Sequence, residues 1–576
     1  MSKLTLMLFI AILTNSFGEL TRHPYLQPTK NMFNNIGVAW RTSESSAGKV
    51  WYREKGQSFW MEAEETQNRD KHYLQLQNLK AGTRYEYKVE EAGTIYSFRT
   101  SPEDGNIKVG IIADPHVHHW KDIGFGNEDT GWVDPGTGNY YHDIRVTRYK
   151  QYRARILAAL DHLAAYEPDL LLILGDLSDA YNRPNVLYER GMWELFDLGK
   201  NLFPNTIVCP IPGNHDWQDL TGEHEWADYT GATGNYQLDY YRGEWYLPDN
   251  GISVDKEREM QYSFDYGKCH FSMALVWYFW PTQESINWIK ADLMAAKAGN
   301  AQDFIFLCQH QQPYQPSGTS TASPRTNADF LVDACANYDV DINFFGHRHR
   351  YYRTYPLLNN NIVTTKTTNY THEDKGTIFS MIPSLQYSLD EGILSQSLVP
   401  YYDGKTIGFA EMTIQDRVAA INHFIVGVER AAPGEKDTTT IPGESYEKHM
   451  CPVTSGDSYT IDKSGAPPVH NRNHQPHGSL IEGERFDAFP NPFNMQTFIP
   501  FSETILFDKH TECIYIFNIA GQVVKTINLK HLNKGKKGVF WNGADNRGNK
   551  VKPGVYFYGF DDNDTRQTWK KLMVLE

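Results

Sequence analysis

Ile211-Pro212-Gly213-Asn214-His215-Asp216 decides how this chain is read. The run before it, Thr206-Ile207-Val208-Cys209-Pro210, is apolar enough for a buried strand. Gly213 then lets the backbone turn sharply. Asn214 and His215 therefore stand at a strand's C-terminal end, where open α/β sheets bind their ligands. An amide oxygen is a hard metal ligand, and an imidazole carries protons near neutral pH.

Four other stretches share this construction. They are Ile111-Ile112-Ala113-Asp114-Pro115-His116, Leu174-Gly175-Asp176-Leu177-Ser178-Asp179, Leu307-Cys308-Gln309-His310 and Phe344-Phe345-Gly346-His347-Arg348-His349. Each sets a hard donor just past an apolar run. Carboxylate, amide and imidazole together suit manganese, iron or zinc, and the lack of thiolates argues against a structural zinc. The donors outnumber what one ion needs. Two ions about 3.5–4 Å apart, bridged by one carboxylate, would use them all.

Around these stretches strands and helices alternate. Strands are expected at 107–113, 169–174, 206–211, 304–308 and 341–345, with helices over 146–166, 186–198, 285–296 and 327–338. That alternation means helices layered on sheets, an α/β domain over about 105–430. Residues 19–102 carry short alternating runs, among them 36–40, 49–52, 73–76, 84–89 and 94–98, and read as a small all-β sandwich. Residues 431–485 are rich in Gly, Pro, Ser, Thr, Asn and His and read as a linker. From 486 to 576 the pattern is β again.

The bulk numbers set limits. With 576 residues, several domains are expected. A net charge of −15 argues against a nucleic-acid polymer as partner, but not against a small phosphorylated substrate. Lys3, the apolar run Leu4 to Leu13, and the small residues Ser16 and Gly18 read as a signal peptide over 1–18, so export is expected. No other stretch is apolar enough to suggest a transmembrane segment. The six cysteines lack C-x-x-C spacing, and Cys209 and Cys308 sit in strand-like runs as buried thiols.

The five stretches, in this order, resemble the calcineurin-like metallophosphoesterase superfamily. The implied fold is a four-layer α/β/β/α sandwich flanked by two all-β domains. The resemblance implies Asp114, His116 and His349 on one ion, Asn214, His310 and His347 on the other, and Asp176 bridging both. His215 would be the catalytic histidine, and Asp179 the carboxylate that orients it. The implied reaction is hydrolysis of phosphomonoesters by attack of a metal-bridging hydroxide, with His215 assisting the leaving group. A nucleotide or cyclic-nucleotide phosphodiesterase is the alternative within the superfamily, and a catalytically inactive cell-surface binding protein the alternative outside it. The aromatics and arginines of His118-His119-Trp120, Trp132 to Tyr141, Asn182-Arg183, Trp217 and Arg348 are candidates for the mouth of the site.

Pro24-Tyr25-Leu26-Gln27 with Val38-Ala39-Trp40 resembles the N-terminal domain of purple acid phosphatases, and Leu79 to Tyr87 resembles fibronectin type III domains. Purple acid phosphatases carry a tyrosine ligand where Asp179 stands and lack a histidine at His116, so a purple iron centre is not expected. Pro490-Asn491-Pro492-Phe493-Asn494, Trp541-Asn542-Gly543-Ala544-Asp545 and the final strand ending Leu572-Met573-Val574-Leu575 resemble the C-terminal sorting domain of type IX secretion cargo. That resemblance implies the type IX machinery as partner and a secreted or bacterial cell-surface location.

Overall fold

The computed structural model describes residues 19–117, 132–133, 140–141, 144–178, 185–216, 239–251, 259–276, 282–299, 302–314, 328–386, 398–404, 406–428, 453–466, 497–500, 513–518, 523–528, 538–560 and 570–574. The chain divides into two compact units, Met1–Asn471 and Arg472–Glu576.

Two sheets carry the first unit, one of 12 strands and one of 7. At the centre of the larger, Ile107–Ile112, Leu170–Leu174 and Ile207–Ile211 run parallel. Leu170–Leu174 and Ile207–Ile211 are buried at every position, which is why they are apolar without alternation. Pro210 is tolerated because the far neighbour of its strand pairs only at Leu26 with Ile207. The Pro210 carbonyl instead accepts the hydroxyls of Tyr241 (3.0 Å) and Tyr262 (2.9 Å).

In the smaller sheet Cys269–Met273, Phe304–Cys308, Ile342–Phe345 and Ile378–Met381 are parallel. Successive residues of a strand face opposite ways. Phe304, Phe306 and Cys308 accordingly join the core shared with the larger sheet. Ile305 and Leu307 join a second core with helices Gln283–Gly299 and Asp329–Asn337. On the larger sheet, helix Ile144–Tyr166 buries Ile156, Ala159, Leu160 and Leu163, one helical stripe. Ile107–Ile112, Leu170–Leu174, Ile207–Ile211, Phe304–Cys308 and Ile342–Phe345 each lead at their C-terminal end into one of the stretches singled out above.

Three expectations change. Runs 36–40 and 49–52 belong to one strand, Ile36–Glu54. Its Ser/Gly-rich middle reads as a turn, but register shifts between Arg41 and Ser46 and between Ala47 and Lys49 let it bend while still paired with Met61–Leu76. The N-terminal strands are also not a free-standing body. Leu20–Gln27 pairs with the central strand Ile207–Ile211, and both lie in the same compact unit. Finally, the expected linker 431–485 contains a strand, Thr454–Asp462, that extends the large sheet. It pairs antiparallel with Val418–Val428 and parallel with Asn369–Thr371. Its inward face is Asp457, Tyr459 and Ile461, of which two are apolar, too short an alternation to stand out among Ser, Thr, Gly and Asp.

In the second unit Cys513–Asn518 pairs with Val523–Asn528 and with Gly554–Phe560, which pairs with Lys570–Val574. Thr497–Pro500 pairs with Gly538–Trp541. Ile499, Ile514, Ile516, Trp541, Tyr558 and Leu572 form its core. Among the described residues no helix is long and apolar enough to cross a membrane.

Candidate metal centre

Five strand ends converge. Asp114 and His116 follow Ile107–Ile112, Asp176 follows Leu170–Leu174, and Asn214 and His215 follow Ile207–Ile211. His310 follows Phe304–Cys308, and His347 and His349 follow Ile342–Phe345. Backbone bonds fasten one end to the next. The Asp114 N–H donates to Gly175 O (3.1 Å), the His116 N–H to Asp176 O (2.9 Å) and the Gly346 N–H to His310 O (3.0 Å).

The turns are tight. Asp114, His116, Asp176, His347 and His349 all have left-handed backbone, with φ of 47°, 43°, 52°, 79° and 50°. Residues with a Cβ seldom adopt it, and each instance costs roughly 1–3 kcal/mol that surrounding packing must offset. Such outliers gather at functional sites. Two glycines make the approach of the loops possible. A Cβ on Gly213 would lie 2.1 Å from Asp176 Oδ1, and one on Gly346 would lie 2.3 Å from Asp114 Oδ2.

The donor atoms form two groups. Asp114, His116, Asp176 and His349 make one, and Asp176, His310 and His347 make the other, with the donor atoms of each group within 4.8 Å of one another. Asp176 belongs to both. In the first group His116 Nε2 lies 3.0 Å from His349 Nε2 and 3.5 Å from Asp176 Oδ2, and His349 Nε2 lies 3.4 Å from Asp114 Oδ1. In the second, His310 Nε2 lies 3.1 Å from Asp176 Oδ2, 3.0 Å from Asn214 Oδ1 and 3.3 Å from His347 Nδ1. Oxygen and imidazole donors in two groups sharing one carboxylate fit a pair of manganese, iron or zinc ions.

The surroundings orient these donors. His310 Nδ1–H donates to the Leu174 carbonyl at 2.8 Å, which turns Nε2 toward Asp176. Burial opposes ionisation of Asp176, but the imidazoles of His310, His116 and His215 outweigh it and hold this carboxyl well below its usual range. Burial likewise disfavours the His310 imidazolium, yet the Asp176 and Asp114 carboxylates push its pKa up to about 9. His215 is half-buried. Its backbone N–H donates to Asp176 Oδ1 at 2.7 Å, and its ring stands edge-on to that of His116 with centroids 4.6 Å apart.

Asp179, His118 to Trp120, Asn182, Arg183 and Trp217 lie outside the described residues. Trp132–Val133 and Tyr140–Tyr141 pair as a short antiparallel ribbon. Arg348 is half-buried. Three contributors had no assigned role in the sequence. Ser384 Oγ donates to the Asp114 carbonyl (2.7 Å) and Gln386 Nε2 to the His116 carbonyl (3.2 Å). Both follow the apolar strand Ile378–Met381, so the strand-end pattern applied once more finds them. Asp216 is the third. It is buried among backbone amides, and burial with the neighbouring Asp176 carboxylate pushes its pKa up to about 7.

Residues 107–351 match the calcineurin-like phosphoesterase family, and residues 21–100 match the purple acid phosphatase N-terminal domain. A weaker match over 510–559 is to the FlgD Ig-like domain. Purple acid phosphatase 22 of Arabidopsis thaliana is 20% identical over 301 residues, 50% of this chain and 55% of its own. Another relative from the same plant, probable inactive purple acid phosphatase 24, is 24% identical over 265 residues, 44% of this chain and 41% of its own. The chain thus spans about half the length of the curated relatives it matches. In fold it is similar to a purple acid phosphatase from yellow lupin (Lupinus luteus) seeds, with a TM-score of 0.54 and 18% identity over 80% of this chain and 78% of that one. These matches place the domain over residues 107–351 in the calcineurin-like metallophosphoesterase superfamily, behind a domain of the purple acid phosphatase N-terminal type.

Proposed function

We propose that this protein is an exported two-metal phosphoesterase that hydrolyses phosphomonoesters. The observation that carries this reading is the pair of donor groups sharing Asp176. Asp114, His116 and His349 would hold one ion, Asn214, His310 and His347 the other, and Asp176 both. When bound, the ions supply Lewis acidity, which lowers the pKa of water and offsets charge on the phosphoryl oxygens.

The chain's own residues do the rest. His310, fixed through Nδ1, keeps Nε2 aimed at Asp176. The Asp114 carboxylate accepts the His347 N–H through both oxygens, at 3.0 and 2.8 Å, so the His347–His349 loop is fastened to the first strand end. His215, half-buried beside His116, gives a ring proton to the departing alcohol oxygen. Asp179 orients His215 in this reading.

The four-layer α/β/β/α arrangement is part of the same reading, supported by apolar cores on both faces of the smaller sheet. Export is supported by the charged, apolar and small-residue order of residues 1–18. Type IX secretion to the cell surface is supported by the motifs between Pro490 and Leu575. The discriminating experiment compares p-nitrophenyl phosphate with bis-p-nitrophenyl phosphate. Faster turnover of the monoester supports the phosphatase. Faster turnover of the diester would move the assignment to a nucleotide-type phosphodiesterase, and no turnover of either by metal-loaded protein would move it to a binding protein.

A further inference from the structure

We infer that Asp216 is a positioning residue, one half of a reciprocal clasp between the two loops that carry Asp176 and His215. The inference rests on the two-metal reading above. Each loop contributes a buried aspartate that accepts N–H groups from the other. Asp176 Oδ1 accepts the His215 N–H at 2.7 Å. In return, Asp216 Oδ1 accepts the N–H groups of Leu177 (3.0 Å) and Ser178 (3.2 Å), and Asp216 Oδ2 lies 3.2 Å from the Leu177 nitrogen. Asp216 Oδ2 also accepts the Gly213 N–H at 2.7 Å, closing its own turn.

Asp216 is 2% exposed, so these bonds form out of water, where losing one is costly. The arrangement fixes the distance between the proposed bridging carboxylate and the proposed proton donor from both sides. Asp216 uses none of its oxygens on the donor groups themselves. Gly213 permits the approach, since a Cβ there would strike the Asp176 backbone nitrogen at 2.3 Å as well as its carboxylate. A displacement of about 1 Å in such a constellation costs on the order of a hundredfold in rate.

The test uses the full-length, metal-loaded protein. Asp216→Asn has the same shape but turns one acceptor into an NH2 facing a backbone N–H. We expect kcat for p-nitrophenyl phosphate to fall tenfold or more while KM changes less than threefold. Cys209→Ala is the control, since Cys209 is buried in the strand leading to the loop and its thiol faces the Ile207 carbonyl at 3.7 Å. It should lose stability and keep kcat within twofold. A smaller fall in Asp216→Asn, or an equal fall in both variants, overturns the clasp. Amide hydrogen exchange of the wild type after chelation gives a second reading if Asp216→Asn fails to fold. The Gly213, Leu177 and Ser178 amides should stay protected, and their free exchange overturns the clasp. If the wild type turns over no phosphoester, the two-metal reading fails, and the exchange measurement still judges the clasp.

Discussion

Asp457→Ala should destabilise the first unit although residue 457 lies in a stretch whose composition reads as linker. The carboxylate is held by Arg353 Nε, by Arg353 Nη2 at 3.0 Å and by the Tyr351 hydroxyl at 2.9 Å. The side chains of Arg353 and Asp457 are 2% and 7% exposed. Removing the carboxylate strands a buried guanidinium whose remaining partners, the Tyr370 hydroxyl (2.9 Å) and the Thr367 carbonyl (2.6 Å), are neutral. Breaking one side of a buried pair costs about 3–5 kcal/mol. A unit of this length has an unfolding entropy of roughly 1 kcal/mol/K, so the melting temperature should fall by about 3–5 °C. Differential scanning calorimetry of the full chain reads this directly. Arg353→Met with Asp457→Leu should recover most of the loss, because the uncompensated charge is gone. A shift under about 1 °C for Asp457→Ala would refute the claim that Thr454–Asp462 is an integral strand of the unit.

Two other perturbations follow from named contacts. His270 is clamped between Asp265 (2.8 Å) and Asp292 (3.0 Å); burial opposes its charge, but the two carboxylates raise its pKa to about 10. Because the folded pKa lies above the ordinary 6.5, the stabilisation is complete below pH 6.5 and is lost as pH rises toward 10, by at most about 1.4 kcal/mol per pH unit. Denaturant titrations should show that fall in wild type and a flatter profile in His270→Gln; identical profiles would contradict the clamp. Gly213→Ala drives a Cβ into Asp176 Oδ1, so at least one metal per chain should be lost by mass spectrometry while the far-ultraviolet circular dichroism is unchanged. Full metal content in that variant would contradict the close approach of the two loops.

Much of this was legible because central strands buried on both faces must be apolar throughout. Leu170–Leu174 and Phe304–Cys308 announce themselves in that way, and a hard donor after each is easy to see. The long strand Ile36–Glu54 was not legible, since its bend is made by bulges in a polar stretch that also suits a turn. Thr454–Asp462 was hidden for a different reason. Its stability comes from neighbours on both sides and from Arg353, all distant in sequence. At the site, residue type and position identified candidate donors, and the family resemblance implied their division into two groups sharing Asp176; the distances within each group needed coordinates. Asp216 was visible as a letter and not as a partner, because its bonds run to backbone amides, which leave no trace in composition.

The most direct measurement is metal content of the purified protein by mass spectrometry, paired with p-nitrophenyl phosphate turnover of wild type and His215→Ala. Two metals per chain are expected in both proteins, with turnover present in wild type and reduced at least a hundredfold in His215→Ala. Fewer than one metal per chain after reloading, or unchanged turnover in His215→Ala, would contradict a two-metal centre assisted by His215.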